Sequence, residues 1–447
     1  MSEQIDFTIE NLGPCKIPSP LHLSTRLNDF VANYVSDDDK LIYDIDQHMD
    51  SSKGELDTSF KRNMLIEKAG PREKIYFDPK KVCAGIVTCG GLCPGLNDVI
   101  RSLVMTLWHQ YGVKNILGIP FGYRGFLPDS GYEPIHFNPE IVTNIHQHGG
   151  TILGSSRGGA NIELIMDAIE QLNINILFTI GGDGTQHGAY LIYQEALKRG
   201  RKLALIGIPK TIDNDLSFIQ RSFGFETAVS QAVKVVTTAH TEARGAINGV
   251  GLVKVMGRES GFIAASTSLA SNDVNYVLIP EVPFELEGPN GLWENLKARL
   301  IRRQHALILV AEGAGQNLIK TSDAVDASGN KILGDIGLFL KTKIKELAKR
   351  DNIEVNLKYI DPSYIIRGSE ANPNDSIYCS RLGANAVHAA MCGKTGVLMS
   401  MIHDRYVHIP IKLSIGKRNV VDPEGDLWRD VIIQTGQPPL MINRVAE

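Results

Sequence analysis

The sequence predicts an α/β protein of two lobes, each built on a mostly parallel sheet flanked by helices, with an N-terminal extension. Three observations predict it. From Val82 onward, short apolar runs alternate with helix-length amphipathic stretches, the pattern of parallel strands joined by crossover helices. Two of the runs, 176–180 and 203–208, end in Gly181-Gly182-Asp183-Gly184-Thr185 and Pro209-Lys210-Thr211-Ile212-Asp213-Asn214-Asp215. Loops at the carboxyl ends of buried parallel strands are where open α/β sheets hold ligands. The length, 447 residues, is natural for two such lobes and an extension.

In chain order, residues 1–80 are polar, with few periodic apolar segments, and read as an extension wrapped on the surface or on a partner subunit. Asp37, Asp38 and Asp39 read as a solvated charge run. A strand at 82–88 leads into the glycine-rich turn 90–95 and a helix over 97–111. A strand at 113–119 follows, and Asn138-Pro139 marks a helix start with Asn as cap and Pro at the first position. His146 and His148 fall on that helix two apart, share no face and read as structural. Then come helix 163–172, strand 176–180, helix 186–198 and strand 203–208. A long helix over 225–241 bridges into the second lobe. There, strands at 249–255, 275–279, 306–311 and 354–360 alternate with helices at 262–269, 292–302 and 336–349. A helix at 375–392 and strands at 397–401 and 406–410 are expected to rejoin the first lobe. The division is thus extension 1–80, first lobe 81–224 rejoined by 375–420, second lobe 225–374, and a C-terminal segment 421–447.

Composition excludes several classes. Hydrophobic residues make up 43% and charged residues 21%, with a formal net charge of −4. Bulk attraction for nucleic acid or anionic membrane is therefore absent, and an anionic ligand needs local basic clusters. No apolar stretch reaches the length of a membrane span, the N-terminus lacks a signal-peptide core, and no lipidation motif is present. Six scattered cysteines suit reduced cytosolic thiols. Cys89 and Cys93 lack the partner pair that a zinc site requires.

The loops carry the chemistry. In Gly90-Gly91-Leu92-Cys93-Pro94-Gly95 the amides can face a phosphate at a helix N-terminus, although no Gly-Lys-Ser/Thr follows to make a P-loop. Asp183, between glycines, can sit against a triphosphate and hold Mg²⁺. Of Asp213 and Asp215, one can take a hydroxyl proton while the other organises metal and water. Arg157, Lys210, Arg258 and Arg367 all fall in predicted strand-to-helix loops and can neutralise phosphate oxygens.

As a set these motifs resemble the 6-phosphofructokinase family over roughly residues 82–435. The carriers are Gly90-Gly91 to Asn97, Gly122-Tyr123, the run 154–157, the two opening loops, Met256-Gly257-Arg258-Glu259-Ser260-Gly261, Glu312, and Asp361-Pro362-Ser363-Tyr364-Ile365-Ile366-Arg367. The sequence is most similar to the long-chain ATP-dependent members, which lie close to the pyrophosphate-dependent group. The resemblance implies two Rossmann-like lobes, the first binding nucleotide and the second sugar phosphate. It implies phosphorylation of the 1-hydroxyl of fructose 6-phosphate by ATP, with Mg²⁺, in a cytoplasmic, allosteric homo-oligomer of two or four chains. Asp213 is then the base and Asp183 the metal ligand, with Thr211, Lys210 and Arg258 beside them. Gly91, Tyr123, Arg157, Gly158, Gly182, Asp183, Gly184 and Thr185 line the ATP site. Thr211, Ile212, Asp213, Met256, Gly257, Arg258, Glu312, Tyr364, Ile365, Ile366 and Arg367 hold the sugar phosphate.

Two departures mark where this expectation is exposed. Gly184 is the residue of ATP users, since an aspartate there would crowd and repel the nucleotide α-phosphate, whereas Lys210 is the residue of pyrophosphate users. Gly249 stands where short-chain members carry an arginine that reaches a neighbouring subunit's sugar phosphate, leaving Lys254 or Arg244 as substitutes. Lys417-Arg418 reads as a solvated surface pair or an anionic-regulator site. The alternatives are a pyrophosphate-dependent phosphofructokinase, an NAD or lipid kinase sharing the 181–185 loop, and a non-catalytic sugar-phosphate-binding subunit.

Overall fold

The structure is a computed structural model. It describes residues 5–43, 65–159, 161–319, 324–325 and 331–443, together with the backbone at 49–50 and 55–56. The chain divides into two compact units. Unit 1 comprises Met1–Lys210, Leu216–Phe223 and Pro373–Lys417; unit 2 comprises Thr211–Asp215, Gly224–Asn372 and Arg418–Glu447.

Unit 1 carries strands β1 (Cys83–Thr88), β2 (Asn115–Ile119), β3 (Ile135–His136), β4 (Ile176–Gly181) and β5 (Ala204–Pro209), with helices α1 (Leu96–Met105), α2 (Ile162–Gln171) and α3 (Asp183–Lys198). Unit 2 supplies α4 (Phe225–Arg244), β6 (Gly249–Val255), α5 (Phe262–Ser271), β7 (Tyr276–Leu278), α6 (Leu292–Arg303), β8 (His305–Ala311), α7 (Ile336–Arg350), β9 (Asn356–Ile360) and α8 (Ser363–Gly368). The chain returns to unit 1 through α9 (Pro373–Met391), β10 (Val397–Ile402) and β11 (Arg405–Pro410), then closes in unit 2 with α10 (Asp426–Thr435).

The sheet of unit 1 runs β3-β2-β1-β4-β5-β10-β11. Its centre is parallel, from β2 through β1, β4 and β5 to β10, and both edge strands are antiparallel. Every residue of β1, β4 and β5 is buried. That is why these strands read as continuous apolar runs: helices cover both faces. The sheet of unit 2 runs β7-β8-β6-β9 and is wholly parallel. Its core gathers Trp293, Leu296, Ile308, Leu340 and Ile344. Two helices begin where the sequence offers a cap. Asn161 accepts from Glu163 N and Leu164 N, and Asp335 accepts from Leu338 N.

Several local expectations are corrected. No helix starts at Asn138-Pro139: Asn138 Oδ1 caps only a turn, accepting from Ile141 N at 3.0 Å. His146 lies in a single 3₁₀ turn (Ile145–Gln147) that His148 closes, rather than on a longer helix. The run predicted as one helix over 97–111 leaves α geometry after Met105 and finishes as a wider turn to Tyr111, where Gly112 adopts φ 76°. Asp37 is not simply solvated. Its Oδ1 lies 2.8 Å from Arg72 Nε and 3.2 Å from Lys394 Nζ. Within the N-terminal segment Lys40–Ile42 pairs with Leu65–Glu67, and the segment joins the rest of unit 1 where Glu10–Asn11 pairs with Lys394–Thr395. Ile66 is fully buried beside Val407.

Candidate active site

In unit 1 the glycine-rich segments converge because β1, β4 and β5 are neighbours and all end on the same side. Cys89 N donates to Ile180 O, Gly90 N donates to Ser156 O, and Ser155 Oγ donates to Gly90 O at 2.6 Å. The loops at 89–91, 154–157 and 181–185 thus form one hydrogen-bonded cluster. Lys210, at the end of β5, is buried, and its Nζ donates to Gly91 O at 2.5 Å. The ammonium flagged by the sequence therefore stands among the phosphate-type loops.

Helix α3 begins directly after Gly182, so the positive end of a 16-residue helix faces this cluster. Asp183 is its first residue, with Oδ1 3.4 Å from Gly416 N. A side chain added at Gly184 would meet no heavy atom within 4 Å. The α-carbon of Gly184 therefore faces open space. Arg157 and Gly158 lie on the exposed loop at 154–159, where Gly158 holds φ 104°. Tyr123 is buried, and its hydroxyl donates to Thr185 O at 2.8 Å, which braces the 181–185 loop from behind.

The second group of residues lies within unit 2. Asn214 takes the left-handed φ of 56° that turns the 211–215 loop. Asp213 N donates to Thr211 Oγ1 at 3.1 Å, and Thr211 Oγ1 donates to Asp215 Oδ1 at 2.9 Å. Arg418 Nη1 lies 2.6 Å from Asp215 Oδ2, and Asn419 N donates to Asp215 O. Ser260 Oγ donates to Asp213 O at 2.9 Å, which ties the loop to the 256–261 turn.

Asp213 Oδ1 is shut off from solvent and has no hydrogen-bond partner among the described residues. Burial, then the neighbouring charges of Asp215 and Glu312, push the Asp213 carboxyl well above the ordinary carboxylate range. The Arg258 backbone N–H and the Arg418 guanidinium pull the other way. Burial also raises Glu312, against the opposing charges of Arg258, Lys254 and Arg367.

Around them, Gly257 adopts φ 124°, and a Cβ there would stand 2.4 Å from Ser260 O. Arg258 donates to Lys331 O. Tyr364 and Ile365 are 83% and 67% exposed, while Ile366 is buried in the core. Arg367 sits on the short helix α8 rather than in an open loop, with its guanidinium 5.3 Å from the Tyr364 ring. Met256 is half-buried and Ile212 buried.

Three features escaped the sequence reading. Arg418 is an ion partner of Asp215 rather than a freely solvated surface residue. Glu281 Oε1 accepts from both Gly261 N and Val421 N at 2.8 Å, joining the 256–261 turn to the C-terminal segment. No spacing signals either link, because each joins residues more than a hundred positions apart or on different loops. Gly249, third, has no room for an arginine, since a Cβ would lie 2.0 Å from Ala243 O. Lys254 is held by Asp335 at 3.0 Å and Asp361 at 2.9 Å.

The donor chemistry suits magnesium. Among the described residues no group of three or more His, Cys, Asp or Glu side chains gathers as a protein cage. Mg²⁺ typically takes one or two carboxylates plus substrate phosphates. A half-exposed carboxylate beside the open Gly184 face is a donor of that kind.

Comparison with known proteins places these groups in context. The family described as Phosphofructokinase matches residues 83–390. The ATP-dependent 6-phosphofructokinase of Borreliella burgdorferi is 54% identical, covering 99% of both chains. The ATP-dependent 6-phosphofructokinase of Amycolatopsis methanolica is 43% identical, covering 97% of this chain and 95% of its own. Among solved structures, a pyrophosphate-dependent phosphofructokinase from Marinobacter aquaeolei superimposes with a TM-score of 0.64 at 19% identity, covering 79% of this chain and 91% of its own. A likeness at that identity speaks to the fold alone.

Proposed function

The chain belongs to the phosphofructokinase family, and on that premise we propose that it transfers the terminal phosphoryl group of ATP to the 1-hydroxyl of D-fructose 6-phosphate. The products are ADP and fructose 1,6-bisphosphate. The observation that carries this reading is Gly184: its α-carbon faces open space at the N-terminus of α3. That space is what a nucleotide needs beyond the phosphates that pyrophosphate also offers. Lys210 does not oppose it. A lysine anchored on Gly91 O neutralises a phosphoryl oxygen whichever donor carries it.

Phosphoryl transfer asks the protein mainly for positioning and charge neutralisation. In unit 1 the amides of Gly182 and Gly184 hold phosphate oxygens, Lys210 and Arg157 supply positive charge, and Tyr123 fixes Thr185, whose own amide donates to Gly182 O. Asp183 would hold Mg²⁺, which when bound screens the donor's phosphate charge. In unit 2 Arg258 and Arg367 take the sugar 6-phosphate, and Glu312 and the 256–257 backbone orient its hydroxyls. The Asp213 carboxylate takes the proton of the 1-hydroxyl. Its raised proton affinity makes it a stronger base than an exposed aspartate. Asp215, bound to Thr211 and Arg418, fixes the loop that presents it.

The reading carries a cytoplasmic location and a homo-oligomer of two or four chains. No described helix is long and apolar enough to cross a membrane. The deciding experiment is a comparison of turnover with ATP and with pyrophosphate at saturating fructose 6-phosphate. ATP is expected to support turnover; phosphorylation by pyrophosphate alone would overturn the assignment.

A further inference from the structure

At the opposite end of the unit 1 sheet from the 181–185 loop, the amino ends of β1, β4 and β5 border a recess of about 740 Å³. It is lined by Lys16, Lys81, Arg201 and Lys202, with Tyr76 and Phe77 adding aromatic surface. Lys81 lies two residues before β1, Asn175 directly precedes β4, and Lys202 lies two residues before β5. Since β4 is six residues long, the recess stands about 20 Å from the loop that β4 feeds. The recess is thus separate from the donor loops.

Its charge is unbalanced. Asp78 is the one acidic residue of the lining, and it lies 3.8 Å from Lys81. Among the described residues Lys16, Arg201 and Lys202 make no ion pair. Arg201 Nε is shut off from solvent with no hydrogen-bond partner. A buried donor on a permanent cation is costly when no acceptor reaches it. Four cations around one concavity also repel each other and focus a positive field into it. The mutual repulsion falls when an anion with several acceptor oxygens enters. The Lys202 ammonium lies 5.8 Å from the Tyr76 ring, so the same wall offers a π-face beside positive charge. The volume falls in the range of small-ligand sites.

We propose that this recess is a binding site for a small polyphosphate-bearing metabolite, distinct from the donor and acceptor loops. Arg201 and Lys202 are its principal phosphate ligands. Lys16 draws the N-terminal segment onto the bound anion, because Lys16 N already pairs with Ile75 O next to Tyr76. Inorganic tripolyphosphate needs only the cations, whereas ADP also uses the Tyr76 and Phe77 surface.

The test is calorimetric titration of the full-length protein with tripolyphosphate or ADP, its catalytic site first saturated with fructose 6-phosphate and a non-hydrolysable ATP analogue with Mg²⁺. One site per chain is expected for at least one probe. Binding of both identifies the phosphates as sufficient; binding of ADP alone adds the base. Arg201→Gln with Lys202→Gln should weaken it tenfold or more and leave turnover at saturating substrates unchanged. Lys16→Glu with Lys202→Glu, at exposed positions that do not threaten folding, should do the same. Absence of binding by both probes, or equal affinity in both double variants, overturns the proposal.

Discussion

Arg418 holds Asp215: its Nη1 lies 2.6 Å from Asp215 Oδ2, while Asp215 Oδ1 accepts the Thr211 hydroxyl. Both oxygens of the second aspartate are therefore taken by protein groups, whereas Asp213 Oδ1 has no hydrogen-bond partner among the described residues. Arg418 also lowers the proton affinity of Asp213 across the loop. Its replacement by Gln should cut kcat/KM for fructose 6-phosphate about 10- to 100-fold, the effect of unpairing a buried carboxylate. A purely structural role would leave the pH profile in place. Here the acid limb should move to higher pH, because losing a cation raises Asp213 further and the base works only when ionised. Arg418→Lys should restore part of both.

Asp213→Asn keeps the shape of the loop and removes the proton acceptor. Turnover should fall about 10²- to 10⁴-fold, the usual contribution of a positioned general base. Fructose 6-phosphate affinity, measured by calorimetry, should persist. Unchanged turnover would assign the base elsewhere.

In the wild-type enzyme the raised Asp213 places the acid limb of kcat/KM above the pH range where exposed carboxylates titrate. Activity should rise with pH through that limb as the proton leaves. A limb at the ordinary aspartate position would contradict the burial and charge argument.

Because nothing within 4 Å opposes a side chain at Gly184, Gly184→Asp should fold normally and lose ATP turnover. Melting temperature close to wild type, with ATP activity gone, is the expected pair of results. Retained ATP activity would show that the open face is not where the nucleotide lies.

Gly257 presents the reverse case. Its φ of 124° and the nearby Ser260 O leave no place for a Cβ. Gly257→Ala should lower unfolding free energy by about 1–3 kcal/mol in urea titration and raise KM for fructose 6-phosphate, since the same turn carries Arg258.

Glu67 gives a stability prediction away from the site. Burial alone would raise its carboxyl, but His408, at 2.8 Å, and Lys394, at 2.7 Å, hold it far below the usual range. A depressed carboxyl stabilises above its unfolded-state pKa and loses that contribution as pH falls. Acid unfolding should therefore begin at higher pH in Glu67→Gln than in the wild type. Coincident acid transitions would remove Glu67 from the account.

The sequence by itself determined the strand-and-helix alternation, the two loops at 181–185 and 209–215, and the residues those loops present. Buried parallel strands must be apolar along their whole length, and turns that approach phosphate need glycine, so both leave local traces. The family resemblance was legible for the same reason. Tertiary structure alone decided what each side chain is paired with. Asp215 meets Arg418 across about two hundred residues of chain, Asp37 meets Lys394 across more, and Tyr123 turns inward to Thr185. It also decided that Gly249 cannot carry a side chain and that four cations from separate segments border one recess. Such contacts are set by packing between distant segments, which has no period and no local composition for a sequence to display.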